Sequence, residues 1–298
     1  MEMILIYCAA ALVLALVIIS DYCTPAYLLW YAGMRLNSRR LIKARPVTHQ
    51  DDHDVVVSLT TIPSRLKYIF PTINSILLQS RPPNRIYLNM PDRSKREGQV
   101  YRVPDIIKKD HRIVLCRCGE DQGPILKLLP VLEKETGPQT VIITVDDDTV
   151  YPRRTIEKLL KYHERLPEAA LGFRGWRIPP SGSFLDRNVL YANQVKRPYR
   201  VDILSGVSGV LYLRKHFGDD FFCRDGLPAE SFFVDDICIS GYLKKANVEK
   251  IILPFPMREP FARYAITSRS NPLWKINKDG HNDQVMLNYF FKQQTDRR

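Results

Sequence analysis

Three consecutive carboxylates, Asp146, Asp147 and Asp148, follow the apolar run Val141 to Val145. Charges of one sign packed this closely repel one another, and a cation relieves that repulsion. Hard oxygen ligands at an open, hydrated position suit Mg2+ or Mn2+. The plain alternative is a solvated acidic turn, because Asp is common in turns. A second acidic pair, Asp235 and Asp236, opens an apolar-periodic stretch from Phe232 to Ala246. By residue type alone it is either a pair of carboxylates able to take a proton or a pair of helix-dipole acids. Lys127 lies between Leu126 and Leu128, where a solvated helix lysine is the ordinary reading.

The elements that must position these groups read clearly in the first half of the chain. Val55 to Leu59 is a short apolar run, as expected of a strand buried on both faces. Ile69, Phe70, Ile73, Ile76 and Leu77 recur at helical spacing until Pro82 and Pro83. Ile86 to Leu88 and Ile113 to Cys116 are further strands. Pro124 opens an expected helix through Ile125, Leu128, Leu129 and Leu132. Val141 to Val145 is again a strand, Pro152 opens a helix through Ile156, Leu159 and Leu160, and Ala170 to Phe173 is a strand. Alternation of this kind predicts an α/β fold: a Rossmann-like, mostly parallel sheet with helices on both faces. Ligands of such sheets bind at the carboxyl ends of the strands, where the Asp triplet stands. Later, Pro179 to Arg187 reads as a loop, Gly209 to Leu213 and Ile251 to Leu253 as strands, and Phe232 to Ala246 as a helix. There is no internal repeat and no low-complexity tract.

The chain has 298 residues, 45% hydrophobic and 26% charged, enough for one large domain with appendages. A formal charge of +12 favours anionic partners without choosing among them. Nucleic acid is disfavoured, since no base-reading motif or aromatic-interleaved basic patch is present. Met3 to Ile19 is an uncharged apolar run of 17 residues, near the lower limit for a membrane span. A cleaved signal peptide would want a basic start, and Glu2 stands there instead. The expected division is a membrane anchor over 1–34, a linker over 35–53 and a catalytic domain over 54–298. Arg35, Arg39, Arg40, Lys43 and Arg45 all follow the apolar run, which favours a cytoplasmic catalytic domain over a lumenal one. Cys116 and Cys118 lack zinc spacing and read as ordinary thiols.

The stretch VIITVDDDTVYP resembles the metal-binding DxD motif of GT-A glycosyltransferases. Five further segments resemble that family in the same order: SLTTIPSRL, DQGPILKLLPVL, SGVSGVLYLR, FFVDDICISGYL and DGHNDQ. The set resembles the family 2-like, bacterial, algal and viral branch of the nucleotide-diphospho-sugar transferases and covers most of residues 54 to 290. The resemblance implies that Asp146 approaches the ribose or the metal, that Asp148 binds Mn2+ or Mg2+, and that Asp147 assists near the sugar. It implies His281 as the last metal ligand. Thr60, Thr61 and Arg65 would line the nucleotide pocket, Asp121 would bond the base, and Lys127 would meet phosphate. Asp236 would be the catalytic base beside Asp235, which stands where a Glu is usual. Trp176, Trp274 and Tyr191 would be sugar platforms or core aromatics. Arg174 and Arg177 would face phosphates or an acidic acceptor. The implied activity is metal-dependent transfer of a sugar from a UDP or GDP donor to a hydroxyl of a glycan or glycoconjugate, with inversion. A nucleotidyltransferase of similar fold would usually carry a Gly-rich phosphate loop, and Thr60-Thr61-Ile62-Pro63 has no Gly. An inactive, membrane-tethered glycan-binding protein is the rival of another class.

Overall fold

The computed structural model describes residues 25–42, 53–255, 261–263, 273–277 and 279–292. Helix α1 spans Pro25–Leu36. Strand β1 (Val55–Thr60), helix α2 (Phe70–Leu77), β2 (Arg85–Met90) and β3 (Ile113–Arg117) follow, then helix α3 (Leu129–Lys134) and β4 (Val141–Thr144). Next come β5 (Thr149–Val150), helix α4 (Thr155–His163), β6 (Ala170–Gly172), β7 (Arg174–Trp176) and β8 (Val189–Tyr191). The chain continues through β9 (Tyr199–Val201), β10 (Ile203–Leu204), β11 (Val210–Leu213), helix α5 (Asp235–Lys245), β12 (Lys250–Ile252), β13 (Ala262–Arg263) and helix α6 (His281–Leu287).

Eight strands form the main sheet in the order β3-β2-β1-β4-β11-β6-β12-β9. The neighbours β3-β2, β2-β1 and β1-β4 are parallel, as is β6-β12. β11 runs antiparallel to both β4 and β6, and β9 antiparallel to β12. The expected mixed, mostly parallel α/β sheet is therefore present. A smaller sheet, β10-β7-β8, stands beside it.

The apolar runs form central strands because both faces of the sheet are covered. Val55, Val57 and Leu59 point into one cluster with Ile73 and Ile76 of α2 and Ile156 and Leu159 of α4. Val56 and Ile142 point into the other with Leu132 of α3 and Ile237, Cys238 and Leu243 of α5. Truncating one of these buried Leu or Ile side chains to Ala costs about 2–5 kcal/mol in such a core.

Three readings need correction or extension. The helix expected from Pro124 to Leu132 is broken: a 3-10 turn covers Gly123–Lys127, and α3 begins at Leu129. Pro130 has no N–H to give the carbonyl of Leu126, so a helix cannot run through. The helix expected from Phe232 starts at Asp235, after a 3-10 turn over Ala229–Phe232. The stretch divided between anchor and linker is docked on the domain as far as Ile42. Trp30 donates its indole N–H to the Tyr151 carbonyl (3.1 Å). Asn74, fully buried, donates to the carbonyls of Asn37 and Arg40 and accepts from the Ile42 N–H. The apolar run Met3 to Ile19 lies outside the described residues. Among those described, no helix is long and apolar enough to cross a membrane.

Candidate active site

A cleft of about 320 Å3 opens at the carboxyl ends of β1 and β4. It has the size and position expected of a ligand site in an open α/β sheet. Ten residues singled out from the sequence line it together: Thr60, Thr61, Arg65, Asp121, Lys127, Asp146, Asp147, Asp148, Asp235 and Asp236. His281 does not join them. Its ring is 66% exposed and faces Glu230 at 3.7 Å. Another residue of the same short helix, Asp283, turns inward and lines the cleft, where burial pushes its carboxyl up to about 6 against the pull of Arg187.

The Asp triplet is held by a dense set of bonds. Pairing with β1 continues past β4, because the Val145 N–H reaches the Ser58 carbonyl (3.0 Å). The Asp146 N–H donates to the Tyr151 hydroxyl (2.8 Å), which donates to the Val207 carbonyl (3.2 Å). Tyr151 is 1% exposed, so this phenol is a fixed strut between the ends of β4 and the start of β11. Thr61 donates to Asp147 at 2.6 Å, and one Arg65 nitrogen lies 3.2 Å from Asp147 and 3.4 Å from Asp148. The polar atoms of Thr61 and Arg65, expected to address a nucleotide, thus brace the triplet. Thr60 donates to the Asn89 carbonyl (2.9 Å). Both oxygens of Asp121 accept backbone N–H groups, from Gly123 (2.8 Å) and Lys95 (2.7 Å), so this carboxylate shapes its loop. Gly123 takes φ +78°, a conformation that suits glycine there.

Lys127 is the centre of the site. Its ammonium donates to Asp146 at 2.8 Å and lies 2.9 Å from Asp235, an ion pair by distance without hydrogen-bond alignment. The side chain is 7% exposed. Burial alone would lower its pKa, but Asp146, Asp235 and Asp236 outweigh burial and hold the charge well above the ordinary lysine value. It is therefore not the solvated residue of the plain reading, and it lines the cleft with its charge already paired. Asp235 and Asp236 occupy the first turn of α5. Asp236 accepts the Gly206 N–H (2.9 Å). Burial first, and then the charge of Asp235, raise the Asp236 carboxyl to about 7, while Lys127 opposes the rise. Space at Gly206 is tight: a Cβ there would meet the Lys127 ammonium at 3.0 Å and Asp236 at 3.1 Å, and those side chains would have to give way.

The far wall of the cleft comes from the smaller sheet and its loop. Trp176 is 3% exposed and packs edge-on to Phe184 at 5.8 Å, which makes it chiefly a core aromatic. Tyr191, 44% exposed, stands at the rim under Arg174. The Trp274 side chain lies outside the described residues. Arg177 is exposed and does not line the cleft, whereas Arg174 does. Arg96, Tyr101 and Arg187, which also line the cleft, escape sequence reading. None sits after an apolar strand or in a recurrent spacing that would mark it.

The residues present fit a divalent cation. Seven carboxylates face five cationic side chains around the cleft, so its charge is negative before any phosphate arrives. A carboxylate has about four lone-pair positions, so the Lys127 bond leaves Asp146 with capacity for an ion. Among the described residues no three His, Cys, Asp or Glu side chains could hold a metal together. An ion here would be shared with phosphate and water, as Mg2+ commonly is.

The sequence profile of glycosyl transferase family 2 matches residues 61–210, half of the chain. No curated protein matches the sequence. Solved structures with a similar fold include a 4-diphosphocytidyl-2C-methyl-D-erythritol synthase, 8% identical with a TM-score of 0.44, covering 79% of this chain and 100% of that one. A Pyrobaculum calidifontis mannosyltransferase in complex with GDP-Man and Mn2+ is 17% identical with a TM-score of 0.49, covering 90% of this chain and 73% of that one. S. aureus TarS in complex with UDP is 15% identical with a TM-score of 0.46, covering 68% of this chain and 58% of that one. The matched span begins at Thr61, which bonds the Asp triplet, and ends in β11, which enters the sheet beside it; the chain belongs to glycosyl transferase family 2 and is a glycosyltransferase of the GT-A fold.

Proposed function

We propose that this cleft transfers a sugar from a UDP or GDP donor to a hydroxyl of a glycan or glycoconjugate, with inversion and with help from Mn2+ or Mg2+. The observation that carries the reading is the clasp of Lys127 between Asp146, on the strand end that meets the donor, and Asp235, beside the base. One buried cation thereby sets the spacing between the two chemical ends of the site.

Asp236 takes the proton of the acceptor hydroxyl as its oxygen bonds to the anomeric carbon. The bond from that carbon to the diphosphate breaks on the opposite face. A carboxyl near 7 suits this work, because a substantial share is ionised at neutral pH and it is basic enough to hold a proton. Gly206 aims the carboxylate with its N–H. Asp146 and Asp148 would hold the cation, which supplies charge for the departing diphosphate. Asp147 is braced by Thr61 and Arg65 and keeps the triplet in register. His281, turned to solvent, is left out of the ligand set. On this reading Met3 to Ile19 tethers the enzyme to a membrane, with the following basic residues favouring a cytoplasmic domain. Full protection of the domain from protease in sealed vesicles would refute that side.

The test is the melting temperature of the full-length chain with UDP or GDP, with and without Mn2+. A ligand that binds only the folded state stabilises it by about 2.7 kcal/mol at one hundred times its Kd. A metal-dependent rise with one nucleotide, absent in Asp146→Ala and Asp148→Ala, is expected. No rise with either nucleotide in a folded sample would sink the donor assignment.

A further inference from the structure

Two cations of the cleft are held in a different way from Arg65 and Lys127. Arg174 and Arg187 both line it, and no carboxylate among the described residues forms an ion pair with either. Each guanidinium lies over an aromatic ring instead. Arg174 faces Tyr191 across the β7-β8 pair, 5.0 Å from the ring centroid. Arg187 lies 3.5 Å from the centroid of Phe184 and donates to that residue's carbonyl at 2.8 Å. Stacking fixes the plane of a guanidinium and leaves its N–H edge for a planar or tetrahedral oxyanion. The Arg174 Nε is buried without a hydrogen-bond partner among the described residues, which leaves a donor of this guanidinium unsatisfied. Burial lowers the pKa of Arg187 and the like charge of Arg174 adds to this, with Asp283 offsetting part of it. An anion beside them would offset the like-charge repulsion and compensate the burial of the charge.

Their location decides which substrate supplies that anion. The Arg174 carbonyl accepts the Ser205 N–H (2.9 Å), and the next residue, Gly206, holds Asp236. Arg174 is therefore attached to the base. In an inverting displacement the attacking hydroxyl and the leaving diphosphate lie on opposite faces of the sugar. Asp146 and Asp148 mark the leaving face, and Asp236 the attacking face.

We infer that Arg174 and Arg187 form an anion subsite for the acceptor, so that the acceptor is an acidic sugar bearing a carboxylate or phosphate near the hydroxyl that is glycosylated. This rests on the reading of Asp236 as the base. Binding of methyl glucuronide, glucose 6-phosphate and neutral methyl glucoside to the full-length chain, by ligand-observed NMR, tests it and separates the two acidic groups. At least one acidic sugar is expected to bind about tenfold or more tighter than the neutral one. The double variant Arg174→Gln/Arg187→Gln should erase that preference while changing UDP and GDP affinity less than about twofold. Arg174→Lys, which keeps the charge and loses the fork, should retain part of it. Equal affinity for all three sugars, no sugar binding, or an unchanged preference in the double variant would overturn the inference. So would loss of nucleotide binding in the double variant, which would assign the arginines to the donor diphosphate. Absence of nucleotide binding in the unaltered protein would instead overturn the donor reading, and the sugar comparison would still be decided separately.

Discussion

The two walls of the cleft treat charge in opposite ways. On the wall built from β1, β4 and α5, every cation described is neutralised within the wall: Lys127 by Asp146 and Asp235, Arg65 by Asp147 and Asp148. On the wall built from β7 and its loop, Arg174 and Arg187 rest on aromatic faces without a carboxylate partner among the described residues. The first arrangement fixes geometry. The second leaves charge available to a ligand. Counting basic residues around a site therefore says little about what it binds until their partners are known.

Substitutions can break this contrast. The largest effect is expected at Asp236→Asn, which should slow transfer by about 10²–10⁴-fold, the usual contribution of a general base, with nucleotide-induced stabilisation intact. Near-normal turnover would remove Asp236 from the mechanism. Lys127→Met should lower unfolding free energy by about 3–5 kcal/mol, because it strands buried acids without their cation; urea denaturation reads this directly. A change below 1 kcal/mol, on the order of an exposed pair, would contradict the clasp. Gly206→Ala forces a methyl against Lys127 and Asp236 and should cost about 1–3 kcal/mol, together with activity. Arg187→Gln, on the opposite wall, should cost under about 1 kcal/mol of stability, the scale of an exposed cation–π contact. A loss as large as that of Lys127→Met would erase the distinction between the walls.

The pH dependence sharpens the comparison further. Asp236 must be ionised to accept a proton, so kcat/KM should rise with pH through about 7. Its folded pKa is raised above the unfolded value near 3.8, so the native state holds the proton more tightly. That contribution to stability is full below the unfolded pKa and is lost as pH climbs to about 7. The stability of Asp236→Asn relative to the unaltered chain should accordingly grow between pH 4 and 7, while the activity of the unaltered chain increases. Because Lys127 pulls the Asp236 pKa down, Lys127→Met should move the rising limb to higher pH. An unmoved limb would mean that another group titrates.

The site was legible where an apolar strand ends in charge. Val141 to Val145 followed by three Asp residues marks both the element and its ligand edge, and Asp235-Asp236 lies on a helix visible from its apolar spacing, though its start was expected three residues earlier. Pairing was not legible. Nothing in the order of residues says that Thr61 and Arg65 turn to Asp147, or that Asp121 spends both oxygens on Gly123 and Lys95. The segment around His281 was singled out for its histidine, but a helix of seven residues presents both an exposed and a buried side, and Asp283 rather than His281 faces the cleft. The smaller sheet escaped notice for a different reason. Its strands are two or three residues long, too short for alternation to register.

The reversed direction of β11 has a consequence for how the enzyme fails. An antiparallel strand begins where its neighbour ends, so Val210 of β11 pairs with Thr144 of β4, and the turn carrying Gly206 lies against the Asp triplet. Strands β1 to β4 pair through parallel contacts that do not involve β11. A local opening that releases β11 would leave those four strands joined while separating Gly206 and Asp236 from Lys127 and Asp146. Under mild heat or denaturant the molecule should fall silent before it melts, with catalysis reporting the integrity of a single seam rather than of the whole sheet.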